Sequence, residues 1–77
     1  MRDFAVIEQR MRSLVASLKV ILPEKGVNEV LHFIEHGEYG VALEELKDLY
    51  DENARSPSKG VLTEMLDLAK IMEMKLD

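Results

Sequence analysis

Phe4, Ile7, Met11, Leu14, Leu18 and Ile21 recur at alternating spacings of three and four, which lays apolar side chains along one stripe of an α-helix. Glu8, Gln9, Arg10 and Arg12 fall off the stripe, so the spacing predicts an amphipathic helix over about residues 3–22, N-capped by Asp3. Pro23 cannot continue helical hydrogen bonding and disfavours helical geometry at Leu22, which places a turn at Pro23, Glu24, Lys25 and Gly26. Val27, Val30, Leu31 and Ile34 then share the face of a short second helix, with Phe33 at its border. Gly37 stands where the left-handed residue after a helix belongs. Tyr39, Ala42, Leu43, Leu46, Leu49 and Tyr50 make a third stripe, which fades through residues 53–57. Ser56 before Pro57 reads as an N-cap followed by a proline at the first helical position. Leu62, Met65, Leu66, Ala69, Met72 and Leu76 form the fourth stripe, with Gly60 at or just before its first turn.

No segment alternates in the two-residue period of a strand, and no hairpin dipeptide separates two apolar runs. The fold class is therefore all-α. Four amphipathic stripes with short connections predict one compact antiparallel four-helix bundle spanning 1–77, the alternative being three helices with the fourth exchanged between protomers. A chain of 77 residues buries only about 60% of its unfolded surface, and without cysteine it must be held by packing alone. No apolar run approaches the roughly 18 residues of a membrane span. Asp3, Glu8, Arg10 and Arg12 interrupt the first segment too often for a secretory signal, so the expectation is a soluble, cytoplasmic protein.

Charge changes the picture by its position. Residues 1–26 carry five basic and three acidic side chains, residues 27–53 one and eight, and residues 54–77 four of each. The net charge of -5 is thus concentrated in the middle, and no basic stripe is present to neutralise phosphates, so direct nucleic-acid binding is not expected. On the third helix, Glu38, Glu45 and Glu52 recur every seven residues along one edge, with Asp48 beside them and Glu44 and Asp51 extending the arc. Val41 shares this face, and Lys47 stands beyond its far edge. Acids one turn apart repel by a few tenths of a kcal/mol per pair, so stability alone does not favour the arrangement. Such a face serves as solvation for a small protein, or as a surface complementary to a basic partner. Tyr39 and Tyr50 suit the edge of a core and also suit an interface.

Other chemistry is thin. His32 and His36 share a helical face near Glu29 and Glu35, a spacing that can hold a metal, but His36 is equally placed to complement the end of the helix dipole, and no metal or other cofactor is assigned. Ser13, Ser17, Ser56 and Ser58 have no histidine near them in sequence, and four short helices offer little concavity for a carboxylate pair, so no catalytic role is assigned. Gly37 and Gly40 lack the preceding strand and the Gly-Lys-Ser/Thr ending of a phosphate loop. Met65 and Met72 lie on the fourth stripe as core; Ile71 and Met74 lie off it and suit either adaptable binding or packing on another helix.

Residues 33–46, FIEHGEYGVALEEL, resemble the central motif of small bacterial immunity proteins of the MafI type. These carry an apolar pair, a short polar turn, Glu, an aromatic, Gly, an apolar residue, Ala-Leu-Glu and a leucine. Chain length, helix order and the long first helix are similar as well, and small acidic helical bundles also occur among immunity proteins of contact-dependent inhibition systems and nuclease colicins. The resemblance implies a non-catalytic protein that shields its own cell by binding a cognate toxin domain, typically a nuclease with a basic surface. By that analogy the contact surface comprises Glu35, Glu38, Tyr39, Glu44, Glu45, Asp48, Asp51 and Glu52. A structural or regulatory helical module that dimerises through the first stripe is the competing expectation.

Overall fold

Four helices make up the regular structure of residues 3–76, the part of the chain described by a computed structural model. They are α1 Phe4–Leu18, α2 Glu24–Glu35, α3 Tyr39–Asn53 and α4 Lys59–Ile71, with no strand among the described residues. Met1, Arg2 and Asp77, the ends of the expected domain, lie outside those residues. The Cα radius of gyration is 11.4 Å, close to the roughly 11.5 Å of a compact domain of this length.

Asp3 caps α1 as its sequence position suggests, its carboxylate accepting the N–H groups of Ala5 at 3.0 Å and Val6 at 3.3 Å. The helix then stops four residues earlier than its stripe predicts. Lys19, Val20 and Ile21 form the turn, Pro23 is the N-cap of α2 rather than part of the turn, and Glu24, Lys25 and Gly26 are helical. The reason is steric and topological: Pro23 forces Leu22 out of helical geometry, and a chain reversal needs several non-helical residues before it. Leu22 swings into the core, while Val20, 83% exposed, and Ile21 face water.

Gly26 consequently sits in the first turn of α2, against Leu49 of α3. A Cβ there would fall 2.7 Å from Leu49 Cδ2, so any larger residue would require the Leu49 side chain to shift. Gly40, in the first turn of α3, has room: a Cβ would meet only Met74 Sδ, at 3.5 Å.

At the end of α2, Gly37 takes φ 73°, with its N–H donating to Ile34 O at 3.0 Å and the Glu38 N–H to Phe33 O at 2.9 Å. This Schellman closure turns the chain directly into α3. Open space surrounds the Gly37 Cα, so Gly37→Ala should lower stability by about 1–2 kcal/mol through backbone conformation alone, read as a shift of the urea midpoint with unchanged m-value. The same closure ends α4, with Glu73 at φ 56°, its N–H donating to Lys70 O and the Met74 N–H to Ala69 O. No glycine marks that stop. Hence α4 ends at Ile71, and Leu76 lies in a non-helical tail rather than on a helical stripe.

The start of α4 also differs from expectation. Ser58, not Ser56, is the N-cap, accepting from the Val61 N–H at 3.4 Å, and Pro57 precedes the cap. Tyr50 explains the choice, because its hydroxyl accepts the Ser58 N–H and holds the chain there. Within α4, Met65, Leu68 and Ala69 are buried, whereas Leu66 is 56% exposed. The helix is rotated from the predicted stripe toward Leu68.

One core gathers Ile7, Met11, Leu14, Val15 and Leu18 of α1, Val27, Val30 and Ile34 of α2, Ala42, Leu43, Leu46 and Tyr50 of α3, and the three buried residues of α4. Among them α3 is the centre, packed against each of the other three helices.

Candidate functional site

The burial of Ala42, Leu43, Leu46 and Tyr50 fixes the rotation of α3 and thereby what it shows to water. Glu44, Asp48, Asp51 and Glu52 are exposed on the opposite side, together with Val41. Glu38, the backbone N-cap residue, is exposed at the start of the same edge, and Glu45 is half-buried on it. Glu35 is exposed on the outer side of α2, the side that carries Asn28 and His32, and so belongs to a different helix from the other acids.

Asp51 pairs with Lys47 four residues before it. Among the described residues Glu44, Asp48 and Glu52 have no ion pair. Asp51 and Glu52 also occupy the last turn of α3, which holds no basic residue of its own and where the helix dipole disfavours negative charge. The dipole thus acts against the last-turn acids, while Lys47 and Lys75 line the recess beside Glu44 and Asp48.

Tyr39 is turned toward α1. Its ring stacks on Phe4 with centroids 6.0 Å apart and planes at 23°, and its hydroxyl donates to Glu8 Oε1 at 2.8 Å. Glu8 also accepts from Arg12 Nε at 2.9 Å. The Tyr39 hydroxyl, and after it Arg12, holds the Glu8 carboxyl below its ordinary 4.5, and the same carboxylate pushes the Tyr39 phenol above its ordinary 10.0. The signs follow from linkage. The carboxylate contribution is present above pH 4.5 and lost as pH falls through the lower folded value; the phenol contribution is present below pH 10.0 and lost as pH rises through the higher folded value. In Tyr39→Phe, the Glu8 titration followed by NMR should move back up toward the ordinary carboxylate range, leaving only the pull of Arg12.

Two features were not read from the sequence. Arg10 clamps α1 to α4, donating Nε to Glu64 Oε2 at 3.0 Å and Nη2 to Glu64 Oε1 at 2.8 Å and Asp67 Oδ2 at 2.7 Å. The two carboxylates raise the Arg10 pKa further and fix its charge. Glu64 and Asp67, one turn apart on α4, were a signal of a basic partner, but their pairing with Arg10 was not legible. The second feature is a shallow groove beside the Gly37 and Gly40 corner, where Phe4, Val41 and Met74 come together.

His32 and His36 lie with ring centroids 4.3 Å apart, and His36 Nδ1 is 2.9 Å from His32 O. Among the described residues no three His, Cys, Asp or Glu side chains are grouped to hold a metal ion. No described helix is long and apolar enough to cross a membrane.

Comparison with known families, curated proteins and solved structures finds no match. What the site offers is a row of exposed carboxylates on α3 adjoining a small, shallow groove.

Proposed function

We propose that this chain is an immunity protein that binds a cognate bacterial toxin domain and blocks it, acting in the cytoplasm and without catalysis of its own. In this reading the four helices pack as an antiparallel bundle that holds α3 rigid, and its acidic face meets the basic surface with which a nuclease holds phosphates. The observation that carries the proposal is the placement of Glu44, Asp48 and Glu52: exposed, unpaired by cations among the described residues, and mounted on the helix that packs against all the others. An acidic row whose last turn is opposed by the dipole is understandable as a binding surface, and a rigid one loses little entropy on association. The resemblance of residues 33–46 to immunity proteins of the MafI type supports the same conclusion and covers the corner from which α3 starts.

Dimerisation through the first stripe is disfavoured physically. Ile7, Met11, Leu14 and Leu18 are buried within the chain itself, so pairing through them would require opening the core, and only the stripe's ends, Phe4 and Ile21, are exposed to a second copy.

Co-expression with the toxin domain encoded beside this chain tests the proposal. Growth should be rescued, whereas continued killing at equal expression of folded protein would refute it.

A further inference from the structure

Just past α4 the chain makes one strained step. Glu73 stands at φ 56°, a left-handed conformation that costs an L side chain energy and that glycine alone adopts freely. Two N–H groups hold the bend, that of Glu73 donating to Lys70 O at 3.1 Å and that of Met74 to Ala69 O at 2.9 Å. Beyond it the side chains alternate. Met74 and Leu76 are half-buried against the core, while Lys75 is exposed. Met74 lies over Gly40, its Sδ 3.5 Å from where a Cβ would stand, and shares the groove with Phe4, Tyr39 and Val41. Lys75 and Leu76 continue along α3 into the recess lined by Glu44, Lys47 and Asp48. Among the described residues Lys75 forms no ion pair with either carboxylate.

We infer that residues 74–76 are a strap hinged at Glu73. Closed, it covers the start of α3 and sets Lys75 beside Glu44 and Asp48; open, it uncovers the groove floor at Gly40 and withdraws that positive charge. Backbone strain favours the open position, because Glu73 regains ordinary geometry when the strap lifts. The two hydrogen bonds and the half-buried Met74 and Leu76 favour the closed one. The strap moves without unfolding α4, since Met65, Leu68 and Ala69, which anchor that helix in the core, all precede the hinge. The inference rests on the proposed binding function only for its consequence: a basic partner meets a more negative α3 face when the strap is open.

The test uses the full chain, which has no cysteine, so Gly40→Cys places a single thiol beneath Met74. Its labelling is timed with two methanethiosulfonates, one carrying a trimethylammonium group and one a sulfonate. In that background Glu73→Ala, Glu73→Gly and Glu73→Val all lack the carboxylate and differ in their tolerance of the left-handed region. Relative to Glu73→Ala, both reagents should react about fivefold more slowly with Glu73→Gly, and faster with Glu73→Val. The ratio of cationic to anionic rates should rise from Gly through Ala to Val, and Lys75→Met should abolish that trend. Amide exchange at Met74 in the cysteine-free variants should follow the same order, independently of the added thiol. Equal labelling and equal Met74 exchange in the three variants would overturn the hinge, and a charge ratio indifferent to residue 73 would overturn the withdrawal of Lys75. Failure of toxin rescue with the labelling order intact would sink the immunity reading alone; rescue without that order would sink the strap alone.

Discussion

Tyr50→Ala should lower stability by about 3–5 kcal/mol, a large share of the roughly 4–12 kcal/mol available to a domain of this length. Tyr50 is 2% exposed and stands in the core with Leu43 and Leu46, so alanine leaves a cavity that three neighbouring helices cannot close without shifting. The ring has a second job. Its hydroxyl accepts the Ser58 N–H, tying the α3–α4 loop to the centre of the molecule and setting the first residue of α4. Tyr50→Phe should preserve the packing and lose that bond, for about 1 kcal/mol. Urea unfolding of the two variants separates the contributions: a Tyr50→Ala midpoint within the range of Tyr50→Phe would show that the ring is not a core element.

The second large effect is on binding and carries the opposite sign for stability. Replacing Glu44, Asp48 and Glu52 together by glutamine removes like-charge repulsion, each pair worth a few tenths of a kcal/mol, and relieves an unfavourable end of the helix dipole. The folded state should be unchanged or slightly stabilised. Association with a basic toxin domain should nevertheless slow by about tenfold or more at low ionic strength, with a much smaller effect on dissociation. Raising salt toward physiological strength should bring wild type and variant together as the field is screened. A triple variant that gains stability and keeps its association rate would identify the acidic face as solvation only.

Much of this architecture was legible because local rules and tertiary packing agree. Ile7, Met11, Leu14 and Leu18 of the first stripe are buried as its period requires, while its end members Phe4 and Ile21 are exposed; Asp3 caps α1, and Gly37 closes α2 in the left-handed region. The exposure of Glu44, Asp48, Asp51 and Glu52 followed from the α3 stripe alone. Disagreement arose where a distant residue decides a local question. Ser56 and Pro57 satisfy the usual start signal, yet Tyr50, on the preceding helix, anchors Ser58 and moves the cap there. Leu66 and Leu68 both fit an apolar helix, and only the direction of the packed neighbours selects Leu68. Gly26 reads as a turn residue until the crossing with Leu49 is known. Glu73 adopts a conformation that its side chain gives no hint of. The Arg10 clamp and the groove share the same cause: both join segments whose proximity is a property of the fold and not of either segment.

The most direct test of the central claim is binding between the purified chain and the purified toxin domain encoded beside it, measured by isothermal titration. A saturable one-to-one complex in the nanomolar range, weakened by salt and by the triple glutamine substitution, is the predicted result. Absence of binding at micromolar concentration, with both proteins folded, would contradict it.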